Sequence, residues 1–144
     1  MRQHSMWFLA VVGSLSSSAQ ADVIRADPSN YQSLLDTLAA GDTLALSAGR
    51  YPRLTLRGLH GEPNAWITVQ GPATGEPAII DGEPGSNTVQ IYDCSYLAIE
   101  SLVVDVGGLA VDAINAKDFP AHHVRIEGCT LRGFPNDQQI VGIN

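Results

Sequence analysis

The sequence contains little basic charge, and lysine is almost missing. Eight of its 144 residues are lysine or arginine against fifteen aspartates and glutamates, which gives a formal net charge of −7. Lys117 is the only lysine. Because proteins bind nucleic acid through many basic side chains that neutralise phosphates, this charge balance excludes a nucleic-acid partner.

Cysteine is equally scarce, which excludes a disulfide framework of the kind that stabilises small secreted domains. Only Cys94 and Cys129 are present. In the internal repeat described below, Cys129 takes an inward position, whereas Cys94 precedes a strand in register with Ala121. We therefore expect two semi-buried free thiols that pack as small apolar residues, with a disulfide as the alternative.

Long hydrophobic runs are absent apart from one near the start of the chain. The apolar segment Met6–Leu15 follows the basic residue Arg2 and precedes an A-x-A cleavage pattern at Ala19–Ala21. This arrangement predicts a signal peptide over residues 1–21, removed on export. The run is too short to span a bilayer, so we expect a secreted or periplasmic protein without a membrane anchor in its mature form.

Common catalytic and metal-binding motifs are also missing. The sequence has no G-x-S-x-G, no Ser-His-Asp arrangement, no phosphate-binding loop and no D-x-D-x-D-G calcium loop. It therefore provides no evident cofactor and no identifiable catalytic residue or metal ligand.

One segment has helical periodicity. Asp27 and Pro28 suit a helix start, Gly41 suits a left-handed stop, and the residues between them place an apolar stripe on one face. The stripe consists of Tyr31, Leu34, Leu35 and Leu38. We predict an amphipathic helix over about residues 28–40.

The remainder reads as short strands separated by Gly and Pro, and two stretches repeat. "YLAIESLVVDV" begins at Tyr96 and "HVRIEGCTLRG" begins at His123, and the two copies align at an offset of 27 residues. Each copy consists of two apolar-alternating strands joined by a tight corner. A leucine-rich repeat would require a motif that no copy contains, and a β-sandwich would not require similar copies at a regular interval.

Further strands extend the repeat. Val69, Ile91, Ile114 and Ile143 mark comparable strands at intervals of 22, 23 and 29 residues. A loose period with a constant strand pattern is typical of a solenoid with insertions in its turns. We predict an all-β solenoid, a right-handed parallel β-helix of about four coils over residues 43–144, closed at its N-terminal end by the helix.

The segments "LLDTLAAGDTLALSAGRY", "AWITVQGP", "SYLAIESLVV" and "HHVRIEGCTL" resemble those of the pectate-lyase-like superfamily of right-handed parallel β-helices. The alginate lyase and chondroitinase B branch is the most similar. The resemblance covers residues 24–144 and implies the fold. It also implies a polyuronide lyase that acts by β-elimination, with calcium in the full-length protein, although no segment here matches the catalytic or calcium-binding motifs of that branch.

Three functions follow from this resemblance. The first is the N-terminal part of an exported carbohydrate-active enzyme, because the chain stops at "IVGIN" within the repeat pattern and the later coils would follow. The second is a non-catalytic glycan-binding or cell-surface β-helix. The third is an inactive truncated fragment, aggregation-prone when expressed alone.

Arg53 and Arg57 are the candidate substrate-binding residues. In "RYPRLTLR" they alternate with Leu54 and Leu56, so both arginines should lie on the outward face of one strand. Guanidinium groups suit the carboxylates of an acidic polysaccharide.

Other ionisable residues are interpreted as solvated surface groups. Lys117 is expected in a solvated loop, and His122 and His123 on opposite faces of a strand, where they could not share a metal ion. The acidic candidates for a calcium patch are Asp93, Glu100, Asp105 and Asp112.

Overall fold

The computed structural model describes residues 20–117, 120–135 and, for the backbone alone, 141–142. The predicted signal peptide lies outside the described residues except for its last two positions. Ile143, which marks the last interval of the repeat, also lies outside them. Within the described part of the chain, no helix has the length and apolarity needed to cross a membrane.

The described chain consists of short strands and one short helix. In chain order the elements are β1 (Val23–Ala26), α1 (Tyr31–Leu35), β2 (Thr43–Leu46), β3 (Gly49–Tyr51), β4 (Leu54–Arg57), β5 (Ile67–Gln70), β6 (Ala78–Asp81), β7 (Val89–Tyr92), β8 (Cys94–Glu100), β9 (Val103–Asp105), β10 (Ile114–Asn115), β11 (Ala121–Glu127), β12 (Thr130–Arg132) and β13 (Val141–Gly142).

These strands form three parallel sheets. Sheet A has the order β1-β2-β5-β8-β11, sheet B the order β3-β6-β9-β12, and sheet C the order β4-β7-β10-β13. The chain passes from sheet A to sheet B to sheet C and then returns to sheet A beside its previous strand. Strands β2–β4, β5–β7 and β8–β10 complete three turns, and β11, β12 and β13 belong to a fourth. The prediction of a right-handed parallel β-helix is confirmed.

Apolar side chains of successive turns stack to form the core. On sheet A, Leu44 pairs with Val69, Val69 with Ile99 and Ile99 with Ile126. The first three are fully buried, with 0% exposure. Burial of each such side chain contributes about 1.5–3 kcal/mol, so a column of them holds neighbouring turns together.

The 27-residue repeat has the register predicted from the sequence. Leu97 pairs with Val124 on sheet A, and Val104 pairs with Leu131 on sheet B. The corner between these sheets is a two-residue turn in which Ser101 and Gly128 adopt φ of 54° and 60°. The prediction that Val69, Ile91 and Ile114 mark equivalent strands of successive turns was partly wrong.

The error in that series concerns which strands are equivalent. Val69 belongs to sheet A, whereas Ile91 and Ile114 belong to sheet C, where Ile114 pairs with Val89 rather than Ile91. All three sheets have the same inward alternation of apolar residues. Pattern alone therefore does not distinguish a strand of one sheet from a strand of the next.

The predicted helix is shorter than residues 28–40. Helix α1 begins at Tyr31 because the Asp27 carboxylate accepts hydrogen bonds from the Ser29 amide and hydroxyl, forming a local turn instead of a helix cap. Its buried residues are Tyr31 and Leu35, and the Tyr31 ring meets the edge of Tyr51 in the first turn at a centroid distance of 5.3 Å. The helix packs against β1 and β2, at the N-terminal end of the solenoid.

Candidate functional site: the outer face of sheet C

Polar side chains on the outer face of sheet C are buried, although outward positions of a solenoid normally face water. Thr55, Gln90 and Asn115 are adjacent in register on β4, β7 and β10. Gln90 is 2% exposed and Asn115 is 4% exposed. Burial of amides costs free energy unless every donor and acceptor is matched, so this row requires partners.

Those partners come from the connections that precede β7 and β10. Asn87 Nδ2 donates to Gln90 Oε1 at 2.9 Å, and Gln90 Nε2 donates to Asn115 Oδ1 at 2.8 Å. Asn115 Nδ2 in turn donates to Asp112 Oδ2 at 2.8 Å, while the Asp112 amide donates to Asn87 Oδ1 at 3.0 Å. The four side chains form a continuous network, which fixes their orientation.

Lys117 joins this network and is not the solvated loop residue that the sequence suggested. Its Nζ lies 3.6 Å from Asp112 Oδ2, and the two side chains are only 30% and 17% exposed. Its amide also donates to Asn115 Oδ1 at 3.2 Å. Lys117 therefore adds positive charge at the edge of the buried amide row.

Both candidate arginines lie on the outer face of sheet C, as the alternation predicted. Leu54 and Leu56 of β4 are buried, and Arg53 and Arg57 lie on the opposite side. Arg53 is half-buried and its Nε donates to the Asn87 carbonyl at 3.3 Å. Whether either arginine contacts substrate stays a prediction.

Arg57 lies against an aromatic ring of the next turn. It pairs in register with Tyr92, and its guanidinium carbon is 4.2 Å from the centroid of the Tyr92 ring. Such a cation–π contact contributes about 0.5–1 kcal/mol at exposed sites and restricts the direction of the guanidinium. We call the surface formed by Arg53, Arg57, Tyr92, Gln90, Asn115 and Lys117 the cation face.

The sequence reasoning missed the polar row and Tyr92. The signal was present as polar residues at alternate positions of β7 and β10, in "TVQIY" and "AIN". It became recognisable only with the register of sheet C, because connections of unequal length separate its strands.

The acidic candidates for a calcium patch are dispersed. Glu100 on sheet A pairs with Arg125 at 3.0 Å, and Asp105 on sheet B pairs with Arg132 at 2.9 Å. Asp93 lies 3.6 Å from His60. Among the described residues, no three His, Cys, Asp or Glu side chains converge in a way that would hold a metal ion.

His122 and His123 do not lie on opposite faces, and that prediction was wrong. Their Nδ1 atoms are 2.7 Å apart. His123 has φ of 54°, which interrupts the alternation of β11, and Tyr96 has φ of 49° at the equivalent position of β8. The His123 and Tyr96 rings stack at 4.4 Å between centroids. The left-handed backbone at both positions therefore allows the two rings to stack between successive turns.

Both cysteines are free thiols, Cys94 buried and Cys129 half-buried. Cys94 pairs in register with Ala121, as predicted. Burial raises the pKa of the Cys94 thiol and that of the Cys129 thiol above the ordinary value. A thiol with a raised pKa is a poor nucleophile at neutral pH, so neither cysteine has the chemistry of a catalytic residue.

No protein-family model matches the sequence, and no curated protein matches it at a significant level. Solved structures of polysaccharide lyase family 6 (PL6) alginate lyases do match the fold. The alginate lyase AlyGC superposes with a TM-score of 0.61 at 24% identity over 77% of this chain. An alginate lyase from Paenibacillus sp. str. FPU-7 gives 0.61 at 20% identity over 76% of this chain. A mannuronic acid specific family 6 lyase from human gut microbiota gives 0.58 at 22% identity over 75% of this chain.

The chain spans only a fraction of these lyases. The matched region is 15% of AlyGC, 36% of the Paenibacillus enzyme and 26% of the gut enzyme. At these identities the likeness establishes the fold alone. The chain has the parallel β-helix fold of the PL6 alginate lyases.

Proposed function

We propose that this chain is the N-terminal part of an exported β-helix protein of the polyuronide lyase type, and that its cation face binds an acidic polysaccharide. Because one fold supports many activities, the fold alone does not assign this role. The observation that carries the proposal is the cation face itself. It places Arg53, Arg57 and Lys117 on one side of sheet C in a chain whose net charge is −7.

The chemistry of the cation face suits a uronate chain. Guanidinium groups form paired hydrogen bonds with carboxylates, and an ammonium attracts them as a point charge. Arg57 and Tyr92 occupy adjacent turns, and strands of adjacent turns are about 4.8 Å apart, roughly the length of one sugar unit. A glycan that runs along the solenoid axis could therefore place successive sugars against successive turns.

For β-elimination, the contribution of these residues would be to position and neutralise the uronate carboxylate. A neutralised carboxylate makes the neighbouring C5 proton more acidic, which lowers the barrier to its removal by a base. Lys117 fits the neutralising role because Asp112 and the amide row fix its position. In a full-length lyase, the base and any calcium would come from residues other than those of the cation face.

A non-catalytic glycan-binding β-helix is the second candidate function. The specific observation in its favour is that Arg53, Arg57 and Lys117 are each held by contacts within the protein. Side chains fixed in this way bind a ligand with little loss of conformational entropy, which suits recognition without chemistry.

The test is binding of short oligomannuronate to the chain from Asp22 onward, followed by calorimetry and by the amide NMR signals of Tyr92 and Asn115. The variants Arg57→Gln and Lys117→Gln should each weaken binding on the order of tenfold, because each removes a charge-assisted hydrogen bond. Arg132→Gln, which removes the same charge from sheet B, is the matched control. Unchanged affinity in both variants would contradict the proposal.

Catalysis is measured separately. The ultraviolet absorbance of the unsaturated product distinguishes turnover of alginate, pectate or chondroitin from binding alone. Turnover that Lys117→Gln abolishes would support the lyase. Binding without turnover, in a protein extended by any further coils of its gene, would favour the glycan-binding alternative.

A further inference from the structure

A surface cavity lies on sheet A, away from the cation face. We propose that it is a binding groove for an acidic disaccharide unit, with Arg25 as the residue that binds the carboxylate. The groove has a volume of about 400 Å³. We call it the A-face groove; its lining includes Arg25, Ala45, Gln70, Gly71, Glu100 and Ser101.

The floor of the groove is a single row of outward residues across four strands. Arg25 of β1 pairs in register with Ala45 of β2, Ala45 with Gln70 of β5, and Gln70 with Glu100 of β8. Ala45 has only a methyl group between two long side chains. The row is therefore open at Ala45, and this opening gives the groove its depth.

One wall of the groove is a lengthened corner between sheets A and B. The corners after β2 and β8 consist of two residues, whereas the connection from β5 to β6 covers residues 71–77. Gly71 begins this connection in contact with the neighbouring turn, and a Cβ at this position would lie 2.5 Å from the Ser101 carbonyl oxygen. The close contact fixes the wall against the next turn, so the groove is preformed.

Arg25 is the basic residue in the lining of the groove. The other five described arginines each contact a carboxylate, a carbonyl or an aromatic ring within the protein: Arg50, Arg53, Arg57, Arg125 and Arg132. Within the described part of the chain, the Arg25 guanidinium has no hydrogen-bond or ion-pair partner, although it borders the cavity. A guanidinium at the edge of a preformed groove suits a carboxylate.

The opposite end of the row has different chemistry. Glu100 accepts a hydrogen bond from Arg125 at 3.0 Å, which offsets its negative charge. A carboxylate with its charge offset is an acceptor for sugar hydroxyls, and the Gln70 amide between the two ends can both donate and accept. The groove therefore offers a cation at one end and polar acceptors in the middle and at the other end.

The size of this row identifies the class of ligand. Arg25 and Glu100 are three strand spacings apart, roughly 14 Å along the solenoid axis. A single inorganic anion or monosaccharide would reach one end only, whereas an acidic disaccharide, about two strand spacings long, extends from a carboxylate bound at Arg25 past Gln70 to within reach of the Glu100 side chain. The inference rests on the proposed function for the acidic glycan as ligand, but it concerns another sheet and other residues.

The experiment is titration of the chain from Asp22 onward with dimannuronate and, in parallel, with cellobiose as a neutral disaccharide. Backbone amide NMR signals of Gln70, Gly71 and Ser101 report on the groove, and those of Tyr92 and Asn115 report on the cation face. Dimannuronate should shift the groove signals, and cellobiose should leave them in place. Arg25→Gln should weaken the groove response on the order of tenfold, the usual effect of losing one charge-assisted hydrogen bond.

A second variant tests the cavity without a change of charge. Ala45→Leu fills the opening between Arg25 and Gln70 and should remove the groove response, while Arg132→Gln, the charge control on sheet B, should preserve it. Gln70→Ala is the alternative if thermal melting shows that Ala45→Leu does not fold.

The outcomes separate this inference from the proposed function. Shifts confined to Tyr92 and Asn115 would overturn the groove and leave the cation face in place. Shifts confined to Gln70, Gly71 and Ser101 would support the groove and refute the cation face. A groove response to dimannuronate that survives both Arg25→Gln and Ala45→Leu would also overturn the assignment.

Discussion

Arg125 lies between two glutamates that are stacked in successive turns. Its Nη2 donates to Glu100 Oε1 at 3.0 Å, and its Nε lies 3.6 Å from Glu127 Oε2. Glu100 and Glu127 pair in register, so their like charges would repel each other without the arginine. The interpretation of Glu100 as a solvated surface group did not include this intervening cation.

Arg125→Gln should lower the free energy of unfolding by about 0.5–1 kcal/mol, the upper range for an exposed ion pair, because it also leaves the two glutamates unscreened. The loss should shrink at high salt, which screens the repulsion. Urea denaturation at low and high salt measures both effects. Adding Glu127→Gln should restore part of the loss, and a loss independent of salt would contradict the explanation.

Leu35→Asp should lower the free energy of unfolding by about 3–5 kcal/mol, because it places an unpaired charge among buried apolar side chains. Leu35 is 4% exposed at the contact between α1 and the first turn. Gln32→Asp, on the exposed side of the same helix, is the matched control and should have little effect. An unchanged melting curve for Leu35→Asp would show that α1 does not cover the core.

Thr88→Val should stabilise the protein by on the order of 1 kcal/mol, because it replaces an unsatisfied hydroxyl with a methyl group of the same shape. Thr88 is fully buried, and its Oγ1 has no hydrogen-bond partner within the described residues. Thermal or urea denaturation of the two proteins measures the difference. Destabilisation by Thr88→Val would mean that the hydroxyl has a partner; Thr88→Ala, which leaves a void, should be destabilising in either case.

The cysteines should make the fold less stable at high pH. Burial raises the pKa of the Cys94 thiol above its ordinary value of 9.0, so the folded state retains a proton that the unfolded state releases. Stability is therefore intact below pH 9 and falls as the pH rises from there through the folded-state pKa. Cys94→Ala should flatten this decline when urea denaturation at neutral pH is compared with that at about pH 10. A decline of equal slope in the variant would assign the effect to other groups.

Removal of the predicted signal peptide should create a partly buried ion pair between the new N-terminus and Asp42. The Asp22 amide nitrogen donates to Asp42 Oδ1 at 3.0 Å, and the Asp42 side chain, which is 6% exposed, also accepts from the Ala39 amide. If export leaves Asp22 first, the same nitrogen becomes a charged ammonium beside that carboxylate. N-terminal sequencing of exported protein should begin at Asp22.

The same site provides a stability test. Asp42→Asn should lower the free energy of unfolding in both protein that starts at Asp22 and protein that keeps Ala21. The loss should be larger by about 1 kcal/mol in the protein that starts at Asp22, because a charge-assisted hydrogen bond is stronger than a neutral one. Equal losses in the two backgrounds would indicate that the amino group does not pair with Asp42.

The sequence predicted the fold where a local pattern carries the information. The copies at Tyr96 and His123 predicted parallel strands, because equal spacing of inward residues requires the same corner in both turns. The sequence pattern could not assign Val69 and Ile91 to different sheets, because burial of the core imposes the same alternation of apolar and polar residues on all three sheets. The helix was overextended because Asp27 forms a turn with Ser29, a local competition that periodicity does not reveal.

The sequence predicted only part of the candidate site. Arg53 and Arg57 followed from alternation within a single strand. Asn115 and Lys117 join the same face, two strands away, only through pairing between turns, and the lengths of the intervening connections decide which residues meet. The left-handed φ at His123 has no sequence signature of its own, since glycine is the usual residue there.

The unequal lengths of the corners suggest how such a protein could acquire new specificity. Connections 82–88 and 106–113 supply Asn87 and Asp112 to the cation face, and connection 71–77 forms a wall of the A-face groove, whereas the corners after β2 and β8 have only two residues each. Insertions in surface connections have a small thermodynamic cost compared with changes in the stacked core. Evolution or laboratory grafting can therefore exchange these connections while each turn keeps its register, so that ligand preference and scaffold stability vary independently.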